Sequence, residues 1–157
     1  MTQERMEMGR TGAHGDRSPV RTAAAVVGAV FLLVGILGVV PGITTNYSQL
    51  GFAGQTSGAM LLGLFQVSIL HNMVHLLFGV AGLALSRQAR TATSYLIGGG
   101  VIYLVLWIYG LVINKQSSAN FVPVNSADNW LHLGLGIGMI ALGTLLGRRA
   151  QNPVVER

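Results

Sequence analysis

The sequence predicts an all-α membrane protein: four transmembrane helices in two parallel-related hairpin repeats, with the N and C termini both cytoplasmic. Three observations carry that expectation. Hydrophobic residues make up 51% of the 157 positions and charged residues only 10%, with a mean hydropathy of +0.56. The apolar residues gather in long uninterrupted runs rather than at the spacing of a soluble core. A polar motif also recurs: Val67-Ser-Ile-Leu-His-Asn-Met-Val-His-Leu76 returns 57 positions later as Val124-Asn-Ser-Ala-Asp-Asn-Trp-Leu-His-Leu133, each copy with a glycine three residues on.

Taken in order, residues 1–20 mix Arg, Glu, Gly and Met without apolar periodicity and read as a disordered cytoplasmic tail, in which His14 needs no role. A bilayer core of about 30 Å takes roughly 20 apolar residues per helix. Four stretches of a transmembrane domain, 21–148, reach that length: 22–40, 68–86, 95–113 and 129–147. The first is too long for a secretory h-region and lacks a small-x-small cleavage site before Pro41, so it reads as a retained helix. Outer loops fall at 41–67 and 114–128. In the longer one, Gly42, Gly51, Gly54 and Gly58 with Asn46, Ser48 and Ser57 argue against a long regular element. The apolar stretch from Ala59 to Val67 is expected to lie along the interface or to form a short helix. Residues 149–157 make a second cytoplasmic tail.

Charge sets the orientation. Of ten basic residues, Arg5, Arg10, Arg17 and Arg21 precede the first helix, Arg87 and Arg90 sit between the second and third, and Arg148, Arg149 and Arg157 end the chain. Only Lys115 lies elsewhere. The positive-inside rule then puts both termini and the short middle loop in the cytoplasm. Basic residues at membrane boundaries account for the pI of about 10.5 without a nucleic-acid partner. Tyr109 and Trp130 near the outer surface, with Tyr95 near the inner one, fit an interfacial aromatic belt. The absence of cysteine removes disulfides, thiolate metal sites, iron–sulfur clusters and thiol nucleophiles.

Glycine weakens a soluble helix, yet in lipid it lets helices approach closely. Gly134-x-x-x-Gly138 and Gly143-x-x-x-Gly147 place small residues along the last helix, for packing within the bundle or between protomers of a homo-oligomer. Gly98-Gly99-Gly100 runs straight into an apolar span with no lysine nearby, which excludes a phosphate-cradling loop.

The repeated motif locates the candidate site. With Ser68 and Asn125 as N-caps, His71, Asn72 and His75 occupy N3, N4 and N7 of one helix, and Asp128, Asn129 and His132 the same places in the other. Those offsets share a face, so each helix carries a polar strip descending about 10 Å from its cap. Two uses remain open. In the plainer one, Asn125-x-x-Asp128 is a capping box and the asparagines and histidines tie helices and outer loops together. In the sharper one the strip binds a ligand, since ionisable residues below a membrane interface mark function by default. His71 and His75 have the i, i+4 spacing of a metal pair, and His132 with Asp128 completes a candidate set for zinc, iron or copper. His75 and His132 alone suit axial ligation of haem b. Asn72 stands where a zinc protease has its general base, and an amide cannot take a proton, so hydrolysis by that route is excluded.

The stretch Leu-His-Asn-Met-Val-His-Leu-Leu-Phe-Gly-Val-Ala-Gly-Leu (70–83), followed by Pro-Val-Asn-Ser-Ala-Asp-Asn-Trp-Leu-His-Leu (123–133), resembles the uncharacterised actinobacterial membrane family named domain of unknown function 4383. The likeness covers about residues 20–148. It implies a bacterial inner membrane and four helices, and it implies no activity. Asn-Pro commonly stands in that family where this chain has Ser68-Ile69, so the device that starts the second helix differs. The reading that follows is a small multi-pass protein with a structural or accessory role, its partners the lipid bilayer and either further copies of itself or another membrane chain. A metal- or haem-binding protein associated with a redox complex is the alternative.

Overall fold

A computed structural model describes residues 18–151, so Arg5, Arg10, His14, Arg17 and Arg157 lie outside the described residues. Four helices carry the fold: α1 Pro19–Leu37, α2 Ile69–Leu85, α3 Ala89–Val112 and α4 Ser126–Gln151. Pro19 opens α1 because its fixed φ suits the first helical turn and its missing N–H would be unpaired there anyway. The helix stops at Leu37, three residues short of the expected end, where Thr44 Oγ1 donates to the Leu37 carbonyl at 3.0 Å. At the other end of the hairpin Arg21 Nε donates to the Ser86 carbonyl at 3.2 Å, placing a cation on the negative end of α2.

α3 begins six residues before the hydropathy of the sequence suggested. Its first turns are polar, and Thr91, Thr93 and Ser94 satisfy themselves on backbone carbonyls of Gln88, Ala89 and Arg90. Those turns are helical without being apolar. In consequence Tyr95 is not an interfacial anchor: it is buried, and its hydroxyl donates to the Phe78 carbonyl at 3.1 Å beside Gly82. Trp130 is exposed.

Between α1 and α2 the long connection forms strands rather than a short helix. β1 (Thr44–Thr45), β2 (Met60–Leu61) and β3 (Phe65–Gln66) make an antiparallel sheet in the order β1-β2-β3, with Thr44 opposite Leu61 and Leu61 opposite Phe65. The turn from β2 to β3 passes through Leu62 at φ 54° and Gly63 at φ 70°, and the second of these is where a glycine is at home. Ala59, Leu61 and Val67 pack beneath the sheet against Val34 and Leu37, closing one end of the bundle. The connection between α1 and α2 and that between α3 and α4 are joined by Gly54 N–H to the Phe121 carbonyl at 2.6 Å and by Asn125 Nδ2 to the Leu64 carbonyl at 2.8 Å.

Each hairpin is drawn together by facing glycines. A methyl group built on Gly28 would lie 2.9 Å from the Gly79 carbonyl oxygen, and one on Gly100 would lie 2.8 Å from that of Gly136. Gly28 and Gly100 are 72 positions apart, whereas Gly79 and Gly136 are 57 apart, as in the motif. Of the glycines singled out in the sequence, Gly143 packs on Ile97 and Gly147 on Thr93, while a methyl group built on Gly134 or Gly138 would meet nothing within 4 Å among the described residues.

The outside of the bundle is greasier than its middle. Val26, Leu33, Leu77, Val105, Val112 and Leu145 are exposed, while His71, Asn72, His75, Asp128, Asn129 and His132 are buried. Water would not sustain that distribution; lipid does. α1, α3 and α4 are long and apolar enough to cross a membrane, and α2 is a shorter apolar helix of 17 residues, about 25 Å at 1.5 Å per residue.

Candidate functional site

Both polar strips are set by their caps. Ser68, with extended backbone, accepts the His71 N–H on its Oγ at 3.1 Å. Asn125 does the same for the Asp128 N–H at 2.9 Å, and Asp128 Oδ2 returns the favour to the Asn125 N–H at 2.9 Å, which completes a capping box. Asp128 Oδ2 also accepts from the Gln66 N–H of β3 at 3.1 Å. One carboxylate oxygen thereby takes backbone donors from both the α4 cap and β3.

At the corresponding place in the other half, Pro123 stands 57 positions after Gln66 and has no N–H to give to His71 as Gln66 gives one to Asp128. An imidazole can donate where an ionised carboxylate cannot.

The histidines form a contiguous group. His71 and His75 stack with ring centroids 4.5 Å apart and planes 5° from parallel, and His75 Nδ1 donates to the His71 carbonyl at 3.0 Å. Deeper, Phe31 meets His75 at 5.6 Å and Tyr103 meets His132 at 5.2 Å. The asparagines sit against glycines: the Asn72 amide packs on Gly38 at the end of α1, and the Asn129 amide on Gly110 near the end of α3. Both atoms of the Asn72 amide, Oδ1 of Asn129 and Nδ1 of His71 and His132 are buried without a hydrogen-bond partner.

Two cavities share the histidines as a wall. One, of about 330 Å³, is bounded by Val74 on α2, Val105 and Tyr109 on α3, and Phe121 and Val124 of the second outer connection. The other, of about 250 Å³, is bounded by Leu33 and Leu37 on α1, Phe65 and Val67 of the first connection, and Leu131 on α4. These linings correspond position for position: Val74 with Leu131 and Val67 with Val124 at a spacing of 57, Leu33 with Val105 and Leu37 with Tyr109 at 72.

Thus the structure brings Ser68, His71, Asn72, His75, Asn125, Asp128, Asn129 and His132 into one region of the bundle. Among the described residues no group of three or more His, Asp or Glu side chains has the geometry to hold a metal ion. Of the candidate set His71, His75, His132 and Asp128, the Asp128 Oδ2 serves the α4 cap and β3. Phe31, Tyr103, Gly110 and Gln66 did not stand out in the sequence, and Gly38 stood out only as a small packing residue of the first helix. A second internal spacing, 72, pairs Phe31 with Tyr103 and Gly38 with Gly110.

Fold and surface define a small, mostly helical membrane protein with a buried Asn/His centre. A family model described as "Domain of unknown function (DUF4383)" matches residues 21–145, and the chain belongs to that family. No curated protein and no solved structure matches it.

Proposed function

We propose that the protein is a four-span accessory or structural protein of the bacterial inner membrane, with both termini cytoplasmic and two hairpin repeats clasped by the Asn/His centre on the outward side. The observation that carries this reading is the pair of contacts by which the start of α4 holds the connection between α1 and α2: Asp128 Oδ2 accepts from the Gln66 N–H, and Asn125 Nδ2 donates to the Leu64 carbonyl. Such contacts lock the two halves into one body. Basic residues support the orientation, since Arg21 meets Ser86 next to Arg87, and Arg90 lies beside Gly147, at the end of the bundle away from the sheet. Its partners in this reading are the bilayer and a further membrane chain, the same or different.

The test is chemical. Protein purified from its native membrane in mild detergent should be colourless, with zinc, iron and copper all substoichiometric. Gln at both His75 and His132 should lower unfolding stability by about 1 kcal/mol or less, because amides preserve some hydrogen bonding. A Soret band, or one bound metal per chain lost in the double variant, would replace the clasp with a cofactor site.

A further inference from the structure

We propose that the 330 Å³ cavity between α2 and α3 is a binding site for the ring of a lipid-soluble phenol or quinol, whose hydroxyl meets the histidines. The cavity walls are apolar or aromatic, with His71, His75 and His132 as their polar groups apart from the tyrosine hydroxyls of Tyr103 and Tyr109. The Tyr109 hydroxyl is already engaged by the Ala119 carbonyl. Two lining residues, Val105 and Phe121, are exposed, so the approach is greasy and suits a molecule arriving through the bilayer. Small-molecule pockets span about 300–1,000 Å³. At the lower end of that range the cavity takes a ring and leaves any tail outside.

Hydrogen-bond polarity selects the hydroxyl. His75 spends its Nδ1 proton on the His71 carbonyl, so its Nε2 offers a lone pair. His71 Nδ1, buried and without a partner among the described residues, is a second acceptor when the ring proton sits on Nε2. Two acceptors ask for a donor. A phenolic O–H gives its proton to one of them and accepts from the N–H of His132, whose Nδ1 is likewise unpartnered. A quinone carbonyl can only accept, so it satisfies His132 alone. The cavity between α1 and α4 borders the same three histidines but, at about 250 Å³, is smaller than small-molecule pockets usually are, and it adds Asp128, whose Oδ2 is already bonded.

The experiment uses the full chain in detergent micelles with 15N-labelled histidine, which gives imidazole signals from only four residues. The probes are 1-naphthol, 1-methoxynaphthalene and 1,4-naphthoquinone, which present nearly the same ring. Saturable shifts of His71, His75 and His132 by naphthol are expected, with His14 unmoved and with the ether and the quinone binding about tenfold more weakly. Val74→Phe, which fills the cavity, should abolish the shifts, while Leu131→Phe at the corresponding place in the other cavity should leave them. Equal affinity for naphthol and its ether, or shifts that grow linearly with probe and never saturate, would overturn the proposal. The comparison of probes on the unaltered chain decides the matter even where Val74→Phe does not fold.

Discussion

Phe31 of α1 and Tyr103 of α3 stack face to face in the middle of the bundle, ring centroids 5.4 Å apart and planes 4° from parallel. Each ring also meets a histidine of its own hairpin, Phe31 with His75 and Tyr103 with His132. The aromatic pair is therefore the contact through which the two hairpins touch at their deepest polar residues. With both rings nearly inaccessible, an approach of this kind depends on shape rather than on escape from water.

Phe31 and Tyr103 should consequently be energetically coupled. Phe31→Leu and Tyr103→Leu each keep an apolar side chain but lose the stack, and the double variant should cost less than the two single costs added. The coupling expected is about 0.5–1.5 kcal/mol, as for other aromatic pairs. Unfolding in mixed detergent followed by circular dichroism measures it; strict additivity would mean the rings merely lie near one another.

Glycines divide into two groups whose substitutions should differ in sign. Gly28→Ala and Gly100→Ala place a methyl group against backbone of the facing helix and must push the pair apart, lowering the unfolding midpoint. Gly134→Ala and Gly138→Ala meet open space within the chain, and the gain in helix propensity should stabilise by about 0.5–1 kcal/mol. A loss of stability at Gly134 that depends on protein concentration would instead reveal a second chain against that face.

How legible this was in the sequence follows from spacing. Four helices and the His/Asn motif came through, because the motif recurs at one fixed distance on α2 and α4, and Asn125 and Asp128 form the capping box that their residue types announced, while α1 ends three residues earlier and α3 begins six residues earlier than hydropathy suggested. The partners of the motif did not come through. α1 and α3 correspond at a different distance because the connection between α1 and α2 is longer than that between α3 and α4, so Phe31 and Tyr103, or Gly38 and Gly110, never align in a single comparison. The three strands escaped for another reason: two-residue strands carry no period, and their order is imposed by Ala59, Leu61 and Val67 packing on the end of α1.

Asp128 offers a test of the cap against the cross-link. Asp128→Asn keeps one oxygen that can accept from Asn125 or Gln66, whereas Asp128→Ala removes both bonds and leaves buried donors unpaired. Alanine should cost more than the roughly 0.5–2 kcal/mol of a lost cap, and Ser68→Ala, which loses a cap alone, should fall within that range. Equal costs at the two positions would show that the bond to β3 adds nothing.

Orientation can be read with introduced thiols, because the chain has no cysteine of its own to give a background. Ser48→Cys lies in the short 3-10 turn Tyr47–Gln49 beside the sheet, and Ser118→Cys lies in the connection between α3 and α4; both residues belong to the end that holds the caps. Gln88 caps α3 at the opposite end, next to Arg87 and Arg90. If the arginines stay on the cytoplasmic side, an impermeant maleimide should label the first two in intact cells and Gln88→Cys only after permeabilisation. The reverse pattern would turn the Asn/His centre and both cavities towards the cytoplasm. It would leave every contact within the bundle unchanged, since none of them depends on which way the bundle faces.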